Sequence, residues 1–309
     1  MTEFVNKGTT KLNYLKENYS QLARQGSQAW LLGRRTRFGG SEIGELIDKN
    51  TEKGDLLIFN KVHQVFESNI YCWWGNTFEV VAKKWFEWTR KIKIHEFGAI
   101  PSTNYPIAYS PDGVFIDRND LWLLEIKCPF IRNVTAVTKI KPNYMTQVQV
   151  GMQILPCNYT RFMQFKFRRC KAKDLFRPGK YDRFFHQEKF WAKETPELWF
   201  GALYWRNNDG IRYDIITDRE PDKIFCSFED PDLFDKCEKF NHGVLMYFKC
   251  FYICENVIPK DRFFEAHHQD TIWKRYNELM EYHNQITKDE IHEACVEAVE
   301  GEPGAATNH

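Results

Sequence analysis

The amino-acid sequence predicts an α/β protein, in which helices flank a central mixed β-sheet and further strands and helices follow in the C-terminal part. Along the middle of the chain the hydrophobic period changes from the 3.6 residues of a helix to the 2 residues of a strand and back again. The 309 residues are 43% hydrophobic and 28% charged. That composition is ordinary for a globular protein and excludes a collagen-like, coiled-coil or wholly disordered chain.

The first part of the chain predicts helices followed by strands. Residues 1–26 have the pattern of a helical lead-in, and a short helix opened by Ser41 is expected over residues 41–49. The clearest early helix is Trp74 to Arg90, because its apolar residues recur at spacings of three and four. Strands are predicted at residues 91–95, at residues 107–116 with a break at Pro111-Asp112-Gly113, and at residues 121–126.

The second part begins with a helix over Tyr144 to Leu155, ended by Pro156, and a strand over Tyr159 to Phe167. On that helix, Gln149 and Gln153 are expected at the surface. Beyond it we expect a hairpin over residues 202–217 and helices over 231–252 and 271–300. The predicted domain organisation is a lead-in over 1–26, a core over 27–173, an extension packed on the core over 174–300, and a flexible tail over 301–309.

Charge is distributed unevenly, although the net charge is only +1. Residues 131–183 carry a net charge of +10 and residues 217–309 a net charge of −10. Between Arg161 and Arg169 basic and aromatic side chains are interleaved. This stripe predicts either a contact with a nucleic-acid backbone or a strand face exposed to solvent.

The sequence favours an intracellular, non-secreted protein with no membrane partner. The N-terminal residues lack the apolar segment of a signal peptide, and no apolar stretch is long enough to span a bilayer. Nine cysteines without a C-x-x-C pair predict free thiols in a reducing compartment. Whether that compartment is cytoplasm or nucleus is left open.

Two charged residues end a strongly apolar strand. Residues i and i+2 of a strand point to one face, so Glu125 and Lys127 should lie side by side. Burying either without a partner costs free energy, and a mutual ion pair or a solvated strand end would satisfy both. The pair is nonetheless unusual enough to be a candidate for chemistry.

Asp112 lies thirteen residues before Glu125, in a Pro-Asp-Gly turn signal. A short connection at residues 118–120 predicts a hairpin that brings both carboxylates to one side of the sheet. With a main-chain carbonyl such as that of Ile126, they form a site of hard oxygen atoms that suits Mg²⁺. A metal ion there would polarise a phosphodiester, and Lys127 would orient water or stabilise charge on the phosphate.

These residues resemble the PD-(D/E)xK motif of the restriction-endonuclease-like nucleases. Further motifs occur in order along the chain: Trp30-Leu-Leu-Gly-Arg34, Gly40-Ser41-Glu42, Trp74-Gly75-x-x-x-Glu79, Ser110-Pro-Asp-Gly113, Leu124-Glu-Ile-Lys-Cys-Pro-Phe130 and Tyr144-Met-x-Gln147-Val-Gln149. Together they resemble the phage lambda exonuclease branch, the YqaJ-type viral recombinase family, over about residues 27–170. The resemblance implies a restriction-endonuclease-like core.

The resemblance also implies roles for individual residues. Asp112 and Glu125 would be metal ligands, Lys127 the catalytic lysine, and Glu79 a residue that completes the metal site or holds a second ion. Gly75, inside the helix that carries Glu79, is interpreted as a sign that another element approaches closely. The residues that would hold a terminal 5′-phosphate are Arg34, Ser41, Ser110 and Gln147.

The implied activity is that of a Mg²⁺-dependent exonuclease, with Mn²⁺ as a substitute. It would degrade linear double-stranded DNA with free ends from 5′ to 3′, in DNA recombination or viral DNA processing, with a single-strand annealing protein as a partner. The alternatives are an endonuclease or RNA-directed nuclease of the same fold, and a non-catalytic DNA-binding scaffold for recombination. No residue after 173 matches the family pattern, so homo-oligomerisation stays open.

Overall fold

The structure is a computed structural model that describes residues 6–23, 27–63, 69–131, 134, 140–170, 199–206, 213–215 and 243–300. Its helices are α1 (Lys7–Tyr19), α2 (Gln28–Gly33), α3 (Ile43–Leu46), α4 (Thr51–Val62), α5 (Ile70–Arg90), α6 (Pro142–Ile154) and α7 (Phe264–Glu300). Its strands are β1 (Phe38–Gly39), β2 (Ile100–Pro101), β3 (Ile107–Tyr109), β4 (Gly113–Asp117), β5 (Asp120–Lys127), β6 (Tyr159–Cys170), β7 (Trp199–Arg206), β8 (Tyr213–Ile215) and β9 (Gly243–Pro259).

The strands form a mixed sheet with helices on both faces, which confirms the predicted fold class. The order in the six-stranded sheet is β4-β5-β6-β9-β7-β8. Strands β5 and β6 run parallel, as expected for two strands joined through the helix α6. The other pairs in this sheet are antiparallel. A second sheet has the order β1-β3-β2.

Asparagine side chains begin three of the helices. Asn6, Asn50 and Asn69 each accept a hydrogen bond from a backbone N–H group of the first turn of α1, α4 and α5 respectively. Such caps satisfy donors that have no partner within the helix. Helix α5 then continues through its predicted apolar stripe to a left-handed C-cap at Lys91, whose φ is 55°.

The hairpin that the sequence predicts between Asp112 and Glu125 is present. Strands β4 and β5 pair from Gly113 opposite Leu124 to Asp117 opposite Asp120. The two turn residues, Arg118 and Asn119, both have positive φ values, of 47° and 63°. This geometry is that of a two-residue type I′ turn, which matches the twist of the paired strands.

The predicted strand at residues 107–116 is divided between the two sheets. Strand β3 belongs to the three-stranded sheet and β4 to the six-stranded sheet, with Ser110, Pro111 and Asp112 between them. Because a proline cannot donate a ladder hydrogen bond, it favours such a break. The junction of the two sheets therefore lies at the sequence motif of interest.

Two predictions of secondary structure are wrong. Residues 91–95 do not form a strand, because Lys91 caps α5 and only His95 forms an isolated bridge, with Val114. Their alternation reflects the burial of Ile94 against the core. The part of the predicted helix 231–252 that the structure describes, from Gly243, is instead strand β9, and residues 231–242 lie outside the described residues. Strand β9 lies between β6 and β7, so its apolar run suits a central strand.

Much of the basic and aromatic stripe on β6 is buried, so its side chains from Arg161 to Phe167 do not form a nucleic-acid-binding surface. Arg161 pairs with Asp117 at 2.9 Å and also with Glu255. Lys166 is buried and donates to the carbonyl oxygen of Pro129 at 3.1 Å. Strand β6 lies inside the sheet between β5 and β9, so both of these cations are used within the fold.

The core consists of two main hydrophobic clusters on the two sides of the sheet. One packs α5 against the sheet through residues such as Phe78, Trp85 and Phe165. The other brings α1, α3, α4, α6 and α7 together around residues such as Leu123 and Phe162. None of the helices in the described part of the chain combines the length and the hydropathy that crossing a membrane requires.

Strand β9 and helix α7 extend this core beyond the predicted boundary at residue 173. Strand β9 pairs with β6 from Tyr159 opposite Pro259 onwards. Gln149, expected at the helix surface, is buried and joins α6 to the end of β9 through the carbonyl oxygen of Pro259 and the N–H group of Asp261. Strands β7 and β8 form the predicted hairpin, whose turn lies outside the described residues. The domain boundaries themselves stay a prediction.

Replacing Arg161 with methionine should destabilise the fold rather than weaken nucleic-acid binding. The substitution leaves the carboxylate of Asp117 without its cation and that of Glu255 with Arg90 alone, so we expect the free energy of unfolding in urea to fall by about 3 kcal/mol. Arg90→Met is the matched control. Arg90 pairs with the same Glu255, but its side chain is 41% exposed against 11% for Arg161, so its loss should cost less than about 1 kcal/mol. Equal losses in the two variants would contradict this.

Candidate active site

One cleft, of about 350 Å³, lies at the junction of the two sheets. It is lined by almost every residue to which the sequence analysis assigned a role: Arg34, Ser41, Glu79, Ser110, Asp112, Ile126, Lys127 and Gln147. These residues come from six different parts of the chain, so the fold brings together motifs that are distant in sequence. Glu125, the remaining one, is fully buried rather than exposed in the cleft.

Glu125 and Lys127 form the predicted ion pair. Their oxygen Oε1 and nitrogen Nζ are 2.5 Å apart, and Lys127 also donates to Oε1 of Gln147 at 3.0 Å. Burial alone would lower the pKa of the Lys127 ammonium group, but the carboxylates of Glu125 and Asp112 outweigh it and hold this pKa above its ordinary value. Lys127 is therefore a cation in this arrangement and not a base.

The other oxygen of Glu125 accepts a hydrogen bond from a tyrosine that the sequence analysis missed. The hydroxyl group of Tyr109 donates to Oε2 of Glu125 at 2.6 Å, and both side chains are buried. Burial, followed by the nearby carboxylate, raises the pKa of Tyr109, so its proton stays in place. The sequence offered no signal for this contact beyond the position of Tyr109 before Ser110.

Two carboxyl groups that line the cleft, those of Asp112 and Glu79, lie in an environment that disfavours their charge. Burial, and then the carboxylate of Glu125, raise the pKa of Asp112 to about 7. Burial, and then the carboxylate of Asp112, raise the pKa of Glu79 to about 7. Asp112 accepts the backbone N–H of Ile126 at 2.6 Å, and Glu79 pairs with Lys83 at 2.8 Å. These contacts offset only part of the cost of burial.

Such an arrangement suits a divalent cation. Glu79, Asp112 and the main-chain carbonyl of Ile126 offer hard oxygen atoms of the kind that Mg²⁺ prefers, and the raised pKa values mark a place where added positive charge would be favourable. Within the described residues, however, no three or more His, Cys, Asp or Glu side chains are grouped as a metal cluster. Oε2 of Glu125 accepts the hydroxyl group of Tyr109, whereas Oε1 is paired with Lys127 but accepts no hydrogen bond from the described residues, so Glu125 stays a candidate ligand as the sequence predicts.

The opposite end of the cleft is built around Arg34. Its guanidinium group lies 4.7 Å from the centre of the Trp30 ring and pairs with Glu42. The indole nitrogen of Trp30 donates to the hydroxyl oxygen of Ser110 at 2.9 Å. Two residues with predicted phosphate contacts, Arg34 and Ser110, are thus connected through one aromatic ring.

Glu42 and Lys61 complete this end and were not assigned roles from the sequence. The ammonium group of Lys61, whose side chain is 7% exposed, lies 3.0 Å from Oε2 of Glu42 and donates to the carbonyl oxygen of Arg34 at 2.8 Å. Burial would raise the pKa of Glu42, but Lys61 and Arg34 hold it below its ordinary value. Glu42 lies within the Gly40-Ser41-Glu42 motif, whereas no motif in the sequence indicated a role for Lys61 on α4.

Two local interpretations from the sequence are wrong. Ser41 does not cap a helix, because α3 begins at Ile43 and is preceded by Glu42, whose carboxylate accepts the N–H of Gly39 at 2.6 Å. Gly75 does not mark a close approach, since no atom of another described element lies within 4 Å of the position that a Cβ atom would take. Ser41 nevertheless lines the cleft.

Comparisons with known proteins agree with the motifs. Residues 29–158 match the YqaJ-like viral recombinase domain, which confirms the resemblance over that part of the chain. The chain is also similar to Protein D345L of African swine fever virus. The protein of isolate Tick/Malawi/Lil 20-1/1983 is 27% identical over 183 residues, and that of strain Badajoz 1971 Vero-adapted is 28% identical. Each match covers 49% of this chain and 52% of the relative, so the chain spans about half the length of the curated relatives it matches.

Solved structures with a similar arrangement include two exonucleases. The alkaline exonuclease LHK-Exo from Laribacter hongkongensis has a TM-score of 0.48 and 16% identity, over 86% of this chain and 99% of that one. A phage related exonuclease from Haemophilus somnus 129PT has a TM-score of 0.40 and 12% identity, over 82% of this chain and 96% of that one.

The raised pKa of Asp112 predicts that Asp112→Asn stabilises the protein in a chelating buffer above neutral pH. The folded-state pKa of about 7 exceeds the unfolded-state value. Ionising this carboxyl group therefore costs the wild type stability as the pH rises from about 4 to about 7. We expect the variant to gain about 1 to 3 kcal/mol over wild type across that range, measured by urea unfolding.

Asp120→Asn is the control with the opposite sign. Although burial acts against it, hydrogen bonds from Lys11, Asn158 and Leu121 lower the pKa of Asp120. Its charge therefore stabilises the fold above the unfolded-state pKa, and Asp120→Asn should lose stability relative to wild type as the pH rises. Parallel pH profiles for the two variants would show that the environment of Asp112 is not as described.

Proposed function

We propose, from the premise that residues 29–158 form a YqaJ-like viral recombinase domain, that the protein is a Mg²⁺-dependent nuclease. Its substrate would be linear double-stranded DNA, degraded from a 5′-phosphorylated end. The observation that carries the proposal is the shared cleft. Carboxylates and a lysine suited to phosphodiester hydrolysis lie in the same 350 Å³ space as Arg34 and two hydroxyl-bearing side chains.

Residues at one end of the cleft would carry the hydrolysis. Glu79, Asp112, Glu125 and the carbonyl of Ile126 would hold Mg²⁺, which when bound polarises the phosphate and lowers the pKa of water. Hydrolysis joins a water oxygen to phosphorus and breaks one ester bond, and the proton lost by water balances the proton that the leaving oxygen takes up. As a fixed cation, Lys127 would stabilise the negative charge that develops on the phosphate oxygens.

Residues at the other end would select the DNA terminus. The guanidinium group of Arg34 offers planar donors that match phosphate oxygens, and the hydroxyl groups of Ser41 and Ser110 add donors without charge. The two ends lie in one cleft, so a terminal phosphate held at Arg34 would place a nearby phosphodiester by the carboxylates. That arrangement favours an exonuclease over an endonuclease.

A role in DNA recombination or viral DNA processing is in line with the matched domain and with the viral relatives. Mn²⁺ should substitute for Mg²⁺, since both favour oxygen ligands. The partners that we propose are duplex DNA with free ends and a single-strand annealing protein that would bind the exposed 3′ strand.

The direct test is a time course on linear duplex DNA with one 5′-phosphorylated end and one 5′-hydroxyl end. We expect the strand that starts at the phosphate to be lost in Mg²⁺ but not in chelator. Lys127→Ala should slow this by at least about 100-fold, because a group that stabilises transition-state charge is removed. Equal cleavage of circular and linear DNA would favour an endonuclease, and DNA binding without any product in Mg²⁺ or Mn²⁺ would favour a non-catalytic scaffold.

Lys61→Met should reduce the preference for 5′-phosphorylated ends by about 10-fold. The substitution removes the cation that holds both the Glu42 carboxylate and the main chain of Arg34, and misplaced contacts to charged groups typically cost about 1.5 to 3 kcal/mol. The measurement is the ratio of kcat/KM on 5′-phosphate and 5′-hydroxyl ends. Lys53→Met on the same helix is the control, because its side chain is 53% exposed and pairs with Asp48 at the surface.

A further inference from the structure

Tyr109 occupies a slot between two glycines from different elements. Strands β1 and β3 pair in parallel up to Gly39 opposite Ala108. The N–H group of the next residue, Gly40, donates to the carbonyl oxygen of Ala108 at 3.0 Å, which places Gly40 beside Tyr109. A Cβ atom at Gly40 would lie 2.3 Å from Cδ2 of the tyrosine ring. At Gly151 of α6 it would lie 2.5 Å from Cζ of the same ring. Both positions must therefore lack a side chain for the ring to fit where it is.

The ring directs its hydroxyl group at a single acceptor. It donates to Oε2 of Glu125 at 2.6 Å, while Oε1 of the same carboxylate pairs with Lys127 at 2.5 Å. Glu125 has no exposed surface, so water does not compete for these positions. Tyr109 and Lys127 together determine how the carboxylate is turned.

The slot also connects the two ends of the cleft. Gly40 immediately precedes Ser41, on the segment proposed to bind the terminal phosphate. Gly151 lies one turn beyond Gln147, which contacts Lys127. Because packed interiors are dense and resist small displacements, a shift of the segment at Gly40 must move the Tyr109 ring, and with it the hydroxyl group that holds Glu125.

We propose that Tyr109 is a positioning residue, which orients the carboxylate of Glu125 for the metal site and couples that orientation to the phosphate-binding segment. The inference rests on the proposed nuclease function. A buried tyrosine whose hydroxyl group merely finds an acceptor would be the ordinary alternative. The two differ in their consequences, because only a positioning role makes metal binding depend on the hydroxyl group and on the width of the slot.

The test is to measure the Mn²⁺ affinity of Tyr109→Phe by calorimetric titration in the absence of DNA. This substitution keeps the ring and removes only the hydroxyl group. We expect Mn²⁺ affinity to fall by about 10-fold or more, the usual effect of losing a residue that orients a ligand. Tyr105→Phe is the matched control, since its hydroxyl group also meets a side-chain acceptor, Oε1 of Gln269, at a distance of 3.5 Å and away from the cleft. Wild-type Mn²⁺ affinity in folded Tyr109→Phe would overturn the inference.

Gly40→Ala tests the coupling separately. The added methyl group should displace the ring and also weaken Mn²⁺ binding, and this effect should disappear when it is introduced into Tyr109→Phe, because the hydroxyl link is already absent. Equal effects of Gly40→Ala in the two backgrounds would overturn the coupling. If Gly40→Ala does not fold, Gly151→Ala provides the same test from the other side of the ring. Failure of the proposed function is distinguishable, because the wild type itself would then bind no Mn²⁺ and cleave no DNA.

Discussion

The buried carboxylate of Glu125 is the constraint on which the site depends. Removing a charged carboxylate from water costs several kcal/mol even after the protein relaxes, and the surrounding apolar strand offers nothing to offset that cost. The offset comes from Tyr109 on β3 and from Lys127 two residues further along β5. Lys127 in turn contacts Gln147 on α6. One buried charge thus ties together three elements that meet at the cleft.

The interruption between strands β3 and β4 explains why the buried charge of Glu125 lies beside a cleft. Ser110, Pro111 and Asp112 leave one sheet and enter the other, so neither sheet covers the space between them. Ser110 faces the end where Trp30 and Arg34 lie, and Asp112 faces Ile126. A short segment of sequence therefore contributes to both ends of the cleft.

Features that depend on local pattern were predictable from the sequence. Helix α5, the β4–β5 hairpin, α6 and β6 follow from periodicity and turn chemistry, and the pairing of Glu125 with Lys127 follows from their i, i+2 spacing. Features that depend on which strand lies next to which were not predictable. Strand β9 resembles a buried helix in composition, and only its place between β6 and β7 distinguishes the two. The role of Arg161 depends likewise on a partner far along the chain, Glu255.

In the candidate site, too, only part was predictable from the sequence. Motif spacing located Asp112, Glu79 and Arg34, but not the charged side chains that surround them. At the Arg34 end, both Arg34 and Lys61 pair with the carboxylate of Glu42, so these three groups together carry a net positive charge. At the other end, the carboxylates of Glu79, Asp112 and Glu125 are near the two ammonium groups of Lys83 and Lys127. Because the pKa values of Glu79 and Asp112 are raised to about 7, these five groups carry a net negative charge only above that pH, when all three carboxylates are ionised.

The charge at each end of the cleft determines which ligand is favoured there. An anion such as a terminal phosphate is favoured where positive charge is in excess, whereas a phosphodiester would be repelled by three carboxylates unless a cation were bound among them. The mid-chain segment with a net charge of +10 does not supply that balance through Arg161 or Lys166, because their charges are used inside the sheet. Lys61, a buried lysine outside every motif, therefore contributes more to the polarity of the cleft than either of those cations.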